Sequence, residues 1–196
     1  QEDIELQTNL ITLVEEFGQQ VTWQPHYLFS ESSNPSQINN CLATETNSFY
    51  CSPQGKNQLN QNVREICAWR FANNKLQWWK FVNSIPQNCT LSEIDTCWQE
   101  QAKEANLPSN QIQNCFSTQA VEIIQEEITA FNNNSINQTP VVLINDIRLP
   151  FSTLTTNAKN VVKIGNNYFS GEELDSPEYL RAAVCASFKD KPELCK

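Results

Sequence analysis

Eight cysteines in a chain of 196 residues, at positions 41, 51, 67, 89, 97, 115, 185 and 195, constrain this protein more than any other feature. No two of them form Cys-x-x-Cys. A redox pair needs two sulfurs within one helical turn so that the attacking thiolate and the resolving thiol can meet, and a zinc knuckle needs similarly close pairs. Neither pattern is present, so the eight are read as four disulfides formed in an oxidising compartment. Cys41 with Cys51 and Cys185 with Cys195 each bracket a short loop between rigid elements. The middle four leave more than one pairing open. Closing the turn between Cys89 and Cys97 is the simplest, and it leaves Cys67 to join its helix to Cys115.

Cross-links are not needed for folding at this length, which allows one sizeable domain with a real hydrophobic core. They point instead to compartment. The chain contains no Met and begins with Gln1, so a processed N-terminus is expected, most simply by removal of a secretory signal peptide. Three glycosylation sequons, at Asn88, Asn133 and Asn137, agree with a secreted, extracellular or endomembrane-lumenal protein, whereas Asn34-Pro-Ser is excluded by its proline. A net charge of −9 without any Lys/Arg cluster argues against nucleic-acid binding. No apolar stretch approaches the ~20 residues needed to span a bilayer. The single histidine, His26, cannot complete a metal site with structural cysteines; it is read as structural, at the end of a strand, and no metal or cofactor is expected.

Periodicity alternates between strand and helix. IELQT near the N-terminus reads as a short strand, followed by helical spacing at Leu10, Leu13, Val14 and Phe17 and a Gly18 stop. VTWQPHYLF reads as a second strand that tolerates Pro25 at an edge, and residues 30–60 as a loop pinned by Cys41 and Cys51. From 60 to 131 the pattern is helical. Val63, Ile66, Cys67 and Phe71 form one stripe, and Leu76, Trp79 and Val82 the next, which Pro86 ends. Thr90-Leu-Ser-Glu93 reads as a capping box opening a helix through Trp98, and a long stripe runs from Ala120 to Phe131. Trp79 and Trp98 count as packing residues. Asn-rich 132–138 reads as an exposed loop, VVLIND and NVVKIGNNYFSG as strands meeting turns, and Ser176-Pro177 as the start of a closing helix.

This order fits an α/β, thioredoxin-type fold: a single domain over 1–196 with a disulfide-linked helical insertion at about 60–131. Particular blocks then point to a family. QNVREICAWRFANNKLQWWKFV at 61–82, PHYLF at 25–29, Tyr50-Cys-x-Pro53, the cysteines at 89, 97 and 115, and the final YLRAAVCASFKDKPELC together resemble the central lumenal region of plant-type vacuolar sorting receptors. The resemblance covers nearly the whole chain. It implies a module from transmembrane receptors that bind soluble cargo in the lumen, which also contain a protease-associated domain and calcium-binding EGF-like repeats. No residue here matches the cargo-binding residues, EGF calcium ligands or sorting tail of those other parts.

In the family the first strand runs into a Cys-rich turn, placed like a thioredoxin active site; here Asn9, Leu10 and Ile11 stand there, and Asn9 is expected to cap the helix. Fold resemblance also implies a cis-proline facing that turn. Pro140 is the candidate and Pro150 its rival. The expectation is a non-catalytic, redox-dead module that binds a protein or peptide partner, with self-association or a larger secreted assembly in view. A structural subunit of a secretory assembly is the alternative. A thiol-disulfide oxidoreductase is a third reading, suggested by the fold and opposed by the cysteine spacing.

Overall fold

A computed structural model describes residues 2–34, 36, 41–44, 48–137, 139, 141–149, 161–170 and 176–196, and, in the first helix, the side chains of Leu6 and of Thr8 onward. The chain forms two compact units. One consists of residues 1–21 and 138–196, and the other of residues 22–137. The helical stretch expected at 60–131 lies within the second unit.

In the first unit, α1 runs from Glu2 to Phe17, where a strand was expected at residues 4–8. The alternation of Ile4 and Leu6 is too short to decide the period. Leu6, Leu13, Val14 and Phe17 are buried with Asn9, and their spacings of three, four and one follow a helix face. Asn9 therefore sits mid-helix and does not cap it. The second helix of this unit, here α6 (Pro177–Ser187), starts as its sequence requires: the Ser176 side chain accepts from the Tyr179 N–H, and Pro177 occupies the first turn. Phe17 stacks on Phe188 at 6.0 Å, and Glu16 accepts from Arg181 Nε at 2.7 Å.

Among the described residues this unit also holds two hairpins. β4 (Leu143–Ile144) and β5 (Ile147–Arg148) are joined by Asn145 and Asp146, both at positive φ, so VVLIND holds a strand meeting a turn, as its sequence predicts. β6 (Val161–Ile164) and β7 (Asn167–Ser170) form the other hairpin. Its turn carries Gly165 at φ +57°, and a Cβ there would lie 2.2 Å from the carbonyl oxygen of Ala186 at the end of α6. Only glycine permits that approach.

The second unit opens with residues 22–29, where a strand was expected. Instead, the first strand bonds begin at β1 (Ser30–Ser32). β1 and β2 (Cys41–Ala43) flank β3 (Phe49–Cys51) in an antiparallel sheet, with Cys41 opposite Cys51, inside the stretch expected to be a loop. Four helices follow: α2 (Lys56–Phe71), α3 (Lys75–Asn88), α4 (Ile94–Glu104) and α5 (Ser109–Asn133). α3 is opened by a capping box of Asn74 and Gln77, and it continues through Pro86 to Asn88, because a proline in the last turn forfeits only one backbone bond. Thr90 and Glu93 form a turn before α4, not a capping box: the Thr90 hydroxyl donates to the Glu93 carboxylate, and no side chain caps the helix. α5 extends into the Asn-rich stretch, which leaves the helix only after Asn133.

The core of this unit surrounds α2. Every residue from Leu59 to Ala68 is buried, so this helix is covered on all sides, by α3, α4, α5 and the sheet. Leu59, Val63 and Cys67 meet Trp78, Phe81, Trp98, Ile112 and Ile124 around it. Trp98 is fully buried and Trp79 packs at the margin, both as core residues.

Candidate functional site

A helix buried all round must satisfy its polar side chains within the protein, and α2 buries five: Asn60, Gln61, Asn62, Arg64 and Glu65. Glu65 is the most consequential. It is 5% exposed, and its carboxylate accepts from Gln61 Nε2 at 3.0 Å and from the Tyr27 hydroxyl. Burial pushes its pKa up from 4.5 to about 7, against the two hydrogen bonds, which pull it down. Burial also raises the Tyr27 phenol well above its ordinary value, and the Glu65 charge adds to that, so Tyr27 stays a donor. The carbonyl of Glu65 accepts from Trp78 Nε1 at 2.7 Å, which joins α3 to the same node.

A second carboxylate holds the same segment from the other side. Glu127 on α5 accepts from the Tyr27 N–H at 2.7 Å, and its other oxygen lies 3.0 Å from His26 Nδ1. The hydrogen bond to Glu127 raises the His26 pKa, burial opposes it, and the Glu127 charge adds to the rise. His26 thus makes a structural contact with Glu127, but it lies before β1, not at the end of a strand. Residues 26 and 27 are clamped between α2 and α5. On another face of α2, Arg64 donates to Asp95 on α4 at 2.6 Å, and its guanidinium lies 4.6 Å from the Phe116 ring centre and 5.2 Å from that of Trp98. Burial lowers the Arg64 pKa, while the bond to Asp95 opposes the shift.

The structure pairs Cys41 with Cys51, Cys67 with Cys115, Cys89 with Cys97 and Cys185 with Cys195, and leaves no free thiol. Residues 7–13, where a redox turn would stand, are interior to α1, and Leu13 is only 2% exposed. Pro140 and Pro150 lie outside the described residues. Asn88, Asn133 and Asn137 are exposed. Among the described residues no group of His, Cys, Asp or Glu could hold a metal ion, and no helix is long and apolar enough to cross a membrane. Sequence reasoning missed Glu65, Glu127, Arg64 and Asp95. The signal was available: a helix placed among three others with apolar stripes has no solvent face, so Gln61 and Glu65, one turn apart, need partners.

Mixed helix and strand, stapled by four disulfides and carrying a large helical block, define an α/β protein of thioredoxin-like class. More specifically, the chain belongs to the family of the vacuolar sorting receptor thioredoxin-like domain, which matches residues 2–150. It is 27% identical over 123 residues to vacuolar-sorting receptor 7 of Arabidopsis thaliana, a stretch covering 52% of this chain and 19% of that receptor. The chain therefore spans a small part of the length of the receptor it matches. No solved structure matches.

Proposed function

We propose that this chain is a non-catalytic protein-binding module that works in the lumen of the endomembrane system or outside the cell. The observation that carries the reading is the engagement of all eight cysteines in disulfides. Disulfide exchange begins with a thiolate, and structural disulfides have potentials, typically below ~−300 mV, that resist reduction by glutathione. The family supports a receptor-type role, since sorting receptors are the proteins in which this domain is described. An internally clamped core suits a rigid binding surface: residues 26 and 27 are fixed by Glu65 and Glu127, so a partner meets a preformed shape.

The test has two arms on the native, oxidised protein. Chemical cross-linking in the source cells followed by purification should recover a defined protein partner, and an insulin-reduction assay should match buffer. Turnover of insulin, with one cysteine alkylating rapidly near neutral pH, would overturn the reading in favour of a thiol enzyme. Recovery of ordered polymers of the chain alone would replace it with a structural subunit.

A further inference from the structure

Residues 22–27 open the second unit with neither a strand nor a helix to hold them. Among the described residues their backbone makes no hydrogen bond to another backbone group, and its one bond runs from the Tyr27 N–H to the Glu127 carboxylate. The side chains are tied to the same helices: the Tyr27 hydroxyl donates to Glu65 of α2, and His26 Nδ1 lies 3.0 Å from Glu127 of α5. Trp23 buries its indole N–H without a partner, which costs the segment part of what its packing gains. Phe29, 4% exposed in the core, anchors the chain just before β1. Ahead of that anchor the segment is a strap whose polar ties end on two buried carboxylates.

The geometry around Glu65 has room for a proton. Gln61 is fully buried and its Oε1 has no partner, while its Nε2 meets one oxygen of Glu65. With the Gln61 amide turned over, Oε1 accepts from a Glu65 carboxylic acid, and the Tyr27 hydroxyl still donates to the other oxygen. The ionised form instead leaves a charge buried beneath the strap. The charged groups on the elements packed round α2 are engaged elsewhere. On α5, Glu127 holds Tyr27 and His26, and Glu126 holds Arg70; on α4, Asp95 holds Arg64. On α3, Lys75 and Lys80 donate to the carbonyls of Trp69 and Glu104. Glu100, Lys103, Glu104 and Glu122 are exposed, and β2 carries no charged residue.

We propose that residues 22–27 are a proton-operated strap, shut on α2 and α5 in mild acid and lifting from them as the pH rises toward neutral, while the four helices stay folded. Lifting takes Tyr27 away from Glu65 and admits water to the carboxylate. The shut strap holds the Glu65 proton up to about pH 7, whereas the open one gives it up at the ordinary 4.5, so a rise in pH between these limits favours opening. His26 acts in the same direction, because its proton is held more tightly beside Glu127 than in water. Opening uncovers the sides of α2 and α5 at Glu65 and Glu127.

Hydrogen exchange of the full oxidised chain, read by NMR at single amides from pH 5 to 8 and corrected for the intrinsic rate, tests the strap. The Tyr27 N–H should lose protection by roughly 70-fold over that range, and low urea should not change its exchange, because a local opening exposes little surface. The amides of Val63 and Cys67, in the middle of α2, should be far better protected at every pH and should lose protection as urea is added. In Glu65→Gln most of the Tyr27 gradient should vanish. A Tyr27 amide with the protection and urea response of Val63 overturns the proposal, since the segment then opens only with the whole unit. Equal protection at pH 5 and 8, no protection at pH 5, or a folded Glu65→Gln that keeps the gradient also overturns it. Should that variant fail to fold, the wild-type readings decide.

Discussion

Replacing Glu65 by Gln should abolish most of a stability gradient that runs opposite to ordinary acid denaturation. The folded-state pKa of Glu65 is about 7 and its unperturbed value 4.5. The folded protein therefore binds more protons than the unfolded chain between these limits. The contribution is fully present below pH 4.5 and is lost as the pH rises through about 7. A difference of roughly 2.5 pH units at ~1.4 kcal/mol each gives about 3 kcal/mol between pH 4.5 and 8. His26 adds in the same direction, since its raised pKa gives stability that is present below 6.5 and lost above the raised value. The amide should fit. In Glu65→Gln the new side-chain oxygen can take the Tyr27 hydroxyl, and the new NH2 can meet Gln61 Oε1, a buried acceptor with no partner, once the Gln61 amide is flipped. Urea titrations of oxidised protein, followed by tryptophan fluorescence at pH 5, 6, 7 and 8, measure the difference. The two proteins should be about equal at pH 5, and Glu65→Gln should be more stable at pH 8 by ~3 kcal/mol. A wild type as stable at pH 8 as at pH 5, or a variant that keeps the full gradient, would refute the carboxyl's burial.

Other consequences of the structure can be checked singly. Gly165→Ala should cost at least ~2 kcal/mol in thermal melting, from left-handed strain and the approach to the Ala186 carbonyl. Asp95→Ala should cost ~1–3 kcal/mol, because it leaves the buried Arg64 guanidinium without its carboxylate; Arg64→Met in the same background should recover part of that loss. Removing the disulfide between Cys67 and Cys115, which spans 48 residues, should cost about 4 kcal/mol by loop-closure entropy, and non-reduced peptide mapping should find the joined pair. Leu10→Cys with Leu13→Cys should give no insulin-reducing activity, since the thiols would lie mid-helix, with position 13 buried, where no helix N-terminus can lower a thiol pKa.

What could be read from the chain, and what could not, follows from how local each signal is. The helices from 56 to 133 were legible because apolar residues recur at helical spacing in one stripe after another, and such a period survives an occasional Asn or Gln. The start of α6 was legible because Ser-Pro fixes both a cap acceptor and φ. Residues 4–8 misled because two apolar positions in alternation, Ile4 and Leu6, fit both periods, and burial of Phe17 decided between them from outside the segment. Residues 22–29 misled for a related reason: alternation is real at Trp23 and Pro25, which are less exposed than their neighbours, but the segment is held at Tyr27 by Glu65 of α2 and Glu127 of α5 and not by a strand. Alternation reports which side is covered. It does not report by what.

The same distinction explains why the carboxylates were invisible. On an amphipathic helix, Gln61, Arg64 and Glu65 would be the solvent face, and nothing within α2 contradicts that assignment. Their burial is set by α3, α4 and α5, which supply Trp78, Asp95 and Glu127 from sequence separations of 13, 31 and, through Tyr27, 100 residues. Only a packing argument reaches that far. One helix inside a block of four, each with an aromatic or branched stripe, loses its water, and each of its polar groups must then find a partner or shift its proton equilibrium. Asn60 and Arg64 find Asp95, while Glu65 finds two donors and still keeps its proton up to about pH 7. The second unit thereby fixes residues 26 and 27 on its helical core by groups that hold best in mild acid, which is the condition under which exposed carboxylate pairs loosen.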